Sequence, residues 1–187
     1  MGVVGSFGLG ALAMLMLVWA RSRFWGFRSQ RPDEYLDGDP HFDVRERLNG
    51  ITLCEGVIYG PLGRVSSRFV AEFEGEWTGN RGVIKERFRY DDGSTQDREW
   101  HLDVDDTGAI SATAPDVVGE GKGRQSGATV QLKYRIRLPE NSGGHVLDTV
   151  DWMYMTPSGT IMNRSQFRKF GIQVAELVAT IRPKEAS

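Results

Sequence analysis

The sequence predicts a mainly β fold, one antiparallel up-and-down barrel of about eight to nine strands preceded by an N-terminal transmembrane helix. Three observations predict it. Runs of two-residue alternation recur from residue 52 onward, turns containing Gly, Asp or Asn separate them, and the one long apolar stretch, residues 1–20, precedes them all without a charged side chain.

Residues 2–20, read as a helix, extend roughly 28 Å at about 1.5 Å per residue, close to the ~30 Å hydrocarbon core of a bilayer. Arg21, Arg23, Arg28 and Arg31 follow before the first acidic residue, Asp33. Residues 1–22 are therefore expected to be a single-pass membrane anchor. A cleaved signal peptide would need a basic start and a small-x-small site, whereas residues 1–20 contain no Lys or Arg and Val18-Trp19-Ala20 is a poor match. A buried core helix is the remaining alternative. Met1-Gly2 with Ser6 also fits a short myristoylation pattern, which a spanning helix makes redundant. The arginine excess after the helix would leave the rest of the chain in the cytoplasm by the positive-inside tendency, so an exported domain does not follow. Residues 23–40, with Pro32, Gly38 and Pro40, read as a linker near lipid headgroups.

Residues 41–187 are of single-domain size. A net charge of -2 with acids and bases interspersed argues against a nucleic-acid partner. Cys54 is the single cysteine, so no internal disulfide forms, and it reads as a small apolar strand residue. The expected strands begin with residues 52–59. Phe69, Ala71, Phe73, Gly75 and Trp77 then alternate with charged neighbours, and Ile84, Phe88 and Tyr90 alternate with Lys85, Arg87 and Arg89. Runs 96–104 and 109–114 follow. Residues 119–123 resemble a phosphate-binding loop only superficially, because Lys122 precedes Gly123 rather than Ser or Thr, and they read as a mobile loop between strands. Val130, Leu132, Tyr134, Ile136 and Leu138 alternate with polar residues most regularly of all, and runs 146–155, 159–163 and 172–182 complete the set. Asp91-Asp92-Gly93-Ser94, Asp105-Asp106-Thr107-Gly108 and Pro157-Ser158-Gly159 supply hairpin chemistry.

A three-residue loop at 92–94 would pair residue 86 with 100 and 88 with 98, placing Phe88, Trp100, Glu86 and Arg98 inside, with the two charges diagonal to one another. An inward carboxylate and guanidinium are costly to desolvate unless paired, so they form a structural ion pair or hold a polar group of a ligand. A two-residue loop would instead bury Asp97 and Glu99 and is rejected. The candidate ligand-binding residues are Glu86, Phe88, Arg98, Trp100, Tyr134, Asp151, Trp152, Asn163 and Arg164. Core packing is the competing role for Trp152 and a surface position for Arg164. His41, His101 and His145 fit no metal spacing, and Ser66, Ser67 and Ser165 lack a nucleophile-elbow context, so no catalytic residue, metal or cofactor is assigned.

The segments Phe88-Arg89-Tyr90-Asp91-Asp92-Gly93, Arg98-Glu99-Trp100, Ala114-Pro115-Asp116-Val117-Val118-Gly119, Asp151-Trp152-Met153-Tyr154, Asn163-Arg164 and Lys169-Phe170-Gly171 resemble the bacterial domain of unknown function 3833 family, over about residues 33–182. The resemblance implies a small envelope protein with a lipocalin-like barrel and a connection to fatty-acid modification. Members often carry a lipoprotein signal, and in this chain no Cys directly follows the apolar stretch. The expectation is thus a barrel tethered to the bacterial inner membrane that binds a lipid, a fatty-acyl chain or another apolar or amphipathic molecule. The alternative is a non-catalytic envelope scaffold with a filled barrel, serving a membrane-enzyme partner. An enzyme acting on lipid through Glu86 or Asp151 is a third reading.

Overall fold

Each strand-forming run presents one apolar face, and in the computed structural model, which describes residues 8–10, 12–17, 20 and 24–184, these faces turn inward around a single ring. The strands are β1 (Gly50–Tyr59), β2 (Val65–Thr78), β3 (Arg81–Tyr90), β4 (Thr95–Val104), β5 (Ala109–Thr113), β6 (Gly121–Ser126), β7 (Thr129–Arg137), β8 (Val146–Met155), β9 (Ile161–Lys169) and β10 (Ile172–Pro183). Each pairs antiparallel with the next, and β1 pairs with β10 from Thr52↔Pro183 to Tyr59↔Glu176, which closes an up-and-down barrel. The ring has ten strands among the described residues, where eight to nine were expected. The extra one is β6, which contains residues expected to form a mobile loop. Its inward positions include Gly121 and Gly123, which leave room for Tyr134 and Leu132 of β7, so it lacks the apolar alternation that marks the other strands.

The β3–β4 hairpin turns one residue earlier than expected. Asp91-Asp92-Gly93 form the loop, the Tyr90 N–H donates to the Ser94 carbonyl at 2.9 Å, and Asp92 accepts from the N–H and hydroxyl of Ser94 at 2.8 and 2.6 Å. The register slips by two residues, which preserves which side chains face inward. Glu86 therefore lies directly opposite Arg98, and Ile84 opposite Trp100, rather than on a diagonal.

One end of the barrel is closed by chain that precedes β1. The short helix Val44–Arg47 is capped by Asp43, which accepts from the Arg45 N–H at 2.9 Å, and Phe42, Val44 and Leu48 are buried in the core. The Trp77 indole donates to the Leu48 carbonyl at 3.1 Å. Gly75 is required here, because a Cβ would collide with the same carbonyl. The barrel unit begins at Tyr35 rather than at residue 41. Tyr35 packs edge-on against Trp152 with ring centroids 5.4 Å apart, so these residues are wall covering and not linker.

In the preceding unit residues 8–10, 12–17 and 20 are helical, and Phe27–Ser29 forms a 3-10 turn. Among the described residues no helix is long and apolar enough to cross a membrane. Much of the expected anchor, residues 1–22, lies outside the described residues.

Candidate functional site

The barrel interior keeps a cavity of about 130 Å³. Its walls are largely apolar, with Phe69 and Phe73 from β2, Ile84 from β3, Leu132 from β7 and Met153 from β8. Aromatic packing organises one side: Phe88 contacts Phe69 and Phe73 at centroid distances of 5.4 and 5.7 Å. Into this apolar volume the alternation of β3, β4, β7, β8 and β9 also turns Glu86, Arg98, Tyr134, Asp151, Asn163 and Ser165.

Arg98 is the centre of charge. Its Nη1 donates to Glu86 Oε2 at 3.3 Å, while Nε and Nη2 bind Asp116 side-on at 2.7 and 3.2 Å. The guanidinium also lies over the Trp100 ring, 4.9 Å from its centroid. Asp116 comes from the β5–β6 loop, which is held against β7 by the Arg137 N–H donating to the Asp116 carbonyl and by the Val118 N–H donating to Arg135. Burial opposes the charge of Arg98, yet Glu86, Tyr134 and Asp116 outweigh it and hold its pKa above the ordinary value.

The carboxylates are perturbed the other way. Burial raises the pKa of Glu86 from 4.5 to about 7; Arg98 works against this rise and the charges of Asp151 and Asp116 add to it. Burial likewise raises Asp151, with hydrogen bonds from Ser165 and Asn163 pulling it down. Both of those donors use the same oxygen: Asn163 Nδ2 and Ser165 Oγ, the latter at 2.7 Å, bind Asp151 Oδ1. Tyr134 is pushed above the usual phenol range by burial and then by the charge of Asp151. The Cys54 thiol, also facing the cavity, is pushed up by burial, which leaves it protonated and unreactive. Among the described residues no group of three His, Cys, Asp or Glu side chains is placed to hold a metal ion.

Seven of the nine candidate residues line the cavity: Glu86, Phe88, Arg98, Trp100, Tyr134, Asp151 and Asn163. Trp152 and Arg164, candidates for which packing and a surface position were the competing roles, do not line it. They pair with each other across β8 and β9 on the outer face, one residue out of phase with Asp151 and Asn163. Trp152 is fully buried under Tyr35, and Arg164 binds Glu176 at 2.9 Å. Two polar residues of the site, Ser165 and Asp116, were not in the expected set. Ser165 was read only as a potential nucleophile, although its inward phase matches that of Asn163. Asp116 sits in a loop, where no periodicity reveals which way a side chain points.

Two solved structures share the fold. The S-type phycobiliprotein lyase CPES from Guillardia theta aligns with a TM-score of 0.56 and 8% identity over 76% of this chain and 91% of that chain. Rv2717c from M. tuberculosis aligns with a TM-score of 0.52 and 16% identity over 80% of this chain and 100% of that one. At such identities the likeness is one of fold. No curated protein matches the chain in sequence. The model of the DUF3833 family, described as a protein of unknown function, matches residues 22–183, the whole barrel with the segment leading into it, and the chain belongs to that family.

Proposed function

We propose that the protein is a membrane-tethered barrel that binds a small apolar or amphipathic molecule, a lipid segment being the class that best suits its apolar walls. The observation that carries this reading is the convergence of Glu86, Arg98 and Asp151 on an otherwise apolar cavity, with Asp116 bound to Arg98. Burying charged groups costs several kcal/mol per ion, and well-packed apolar side chains of similar volume would stabilise such a barrel at least as well. A polar cluster beside empty space is the arrangement expected of a ligand site. The cavity has nearly the volume that admits a benzene-sized group, so the molecule enters by a short apolar stretch and not by a whole acyl chain. The tether reading is supported by Leu9, Leu12, Met14, Leu15, Met16 and Leu17, each more than half exposed on a helical stretch of the N-terminal unit.

The small cavity favours one second reading, a largely filled barrel that acts as a scaffold for a membrane-enzyme partner, since dedicated ligand sites usually enclose about 300 Å³ or more. Native mass spectrometry and solvent extraction of gently purified full-length protein separate the two. A stoichiometric small molecule is expected; its repeated absence from protein purified from the native membrane favours the scaffold. Reporter fusions after Ser187, alkaline phosphatase against green fluorescent protein, determine whether the barrel is tethered and on which side.

A further inference from the structure

We infer that the cavity takes a ligand bearing a protonated primary amine on a short apolar stem and discriminates against the matching carboxylate. The inference rests on the ligand-site reading above and deepens it. A fatty-acid carboxylate would need a free cation, and the obvious one, Arg98, is already enclosed: Glu86 takes Nη1, Asp116 takes Nε and Nη2, and Trp100 covers a face of the guanidinium. An incoming carboxylate would have to displace one of these partners and would add a fourth carboxyl group to Glu86, Asp116 and Asp151. Like charges at close range in such a volume are strongly unfavourable.

Asp151 has the opposite need. Its carboxyl is enclosed by protein and borders the cavity. Oδ1 is saturated by Asn163 and Ser165, whereas Oδ2 accepts from no donor among the described residues. An ionised carboxylate has room for about four hydrogen bonds, so an oxygen with none, on a residue that lines the cavity, is an acceptor awaiting a donor. Both donors on Oδ1 are neutral, which leaves Asp151 without a bonded cation. An ammonium would satisfy Oδ2 with a charge-assisted hydrogen bond and offset the excess of carboxylates over the lone guanidinium. The apolar stem would then lie along Phe69, Phe73 and Met153. The available volume, about 130 Å³, limits that stem to a few carbons or one small ring.

The test uses full-length protein in nanodiscs and three probes of equal length: pentylamine, 1-pentanol and pentanoate. Binding is followed at pH 7.5 through the indole N–H signals of the ¹⁵N-labelled tryptophans, Trp100 being in the cavity wall. Pentylamine is expected to bind about tenfold more tightly than pentanol, and pentanoate more weakly than either. Asp151→Asn is expected to bring the amine to within about twofold of the alcohol while pentanol binding persists, which also reports that the variant is folded. Pentanol binding without an amine advantage, pentanoate binding as tightly as the amine, or an advantage that survives Asp151→Asn each overturns the inference and leaves the ligand-site reading standing. If none of the three binds above empty nanodiscs, that reading falls and the inference with it. The comparison of probes on the unmodified protein decides the matter even if Asp151→Asn does not fold.

Discussion

Glu86 and Phe170 each depart from what local chemistry prefers. Glu86 holds its proton to about pH 7 against an ordinary 4.5. Between those values the folded state binds a proton that the unfolded state has released, so this contribution to stability is present at low pH and is lost as pH rises through 7. Glu86→Gln keeps the shape and removes the titration. In urea unfolding the wild type is expected to lose about 2 kcal/mol relative to Glu86→Gln on going from about pH 5 to about pH 8, and equal slopes would refute the assignment. Phe170 has φ 51 beside Gly171 at φ 79, a two-residue turn between paired Lys169 and Ile172 in which both positions are left-handed. A bulky residue tolerates that backbone poorly, whereas Asn tolerates it well, and the Phe170 ring is 90% exposed. Phe170→Asn should raise stability by about 1 kcal/mol, read from the same denaturant curves.

Among the elements, β6 and the β3–β4 hairpin show what decides a strand and its register. β6 contains neither an aliphatic nor an aromatic side chain, yet it completes the ring, because its backbone pairs with β5 and β7 and its inward glycines give way to larger neighbours. A Cβ at Gly123 would collide with the Gln131 carbonyl and press on Leu132 Cδ2. Gly123→Ala is accordingly expected to destabilise the barrel by about 2 kcal/mol, measurable by thermal melting; a neutral outcome would mean that β6 shifts freely. In the β3–β4 hairpin the turn residues and the parity of the inner face were legible, and the pairing was not. Slips of two residues leave every side chain on its own face, so hydrophobic patterning alone cannot distinguish them, and the hydrogen bonds of Asp92 to Ser94 make the choice.

For the molecule as a whole, closure between β1 and β10 converts ten half-buried strands into a single interior, and the chain ahead of β1 closes one end and covers part of the outer wall. That covering makes Trp152 fully buried although it points away from the cavity. Tyr35 stands over both Trp152 and Tyr154, at centroid distances of 5.4 and 6.0 Å. Tyr35→Ala should therefore cost about 3 kcal/mol, seen as a lowered melting temperature with an unchanged far-ultraviolet spectrum. A loss near zero would show that the barrel stands without its outer covering.

The sequence by itself determined the β architecture and the inward phase of Glu86, Phe88, Arg98, Trp100 and Tyr134, because a period of two is a local property written into each strand. Only the tertiary structure decided the rest. It brought Asp116 across from a loop to occupy Arg98, set Asn163 and Ser165 on one oxygen of Asp151, and covered an outward Trp152. These outcomes depend on ring closure and on contacts between residues far apart in the chain, which no local alternation encodes. The charge preference of the cavity follows from them, since it depends on which of its ionisable groups the fold has already paired.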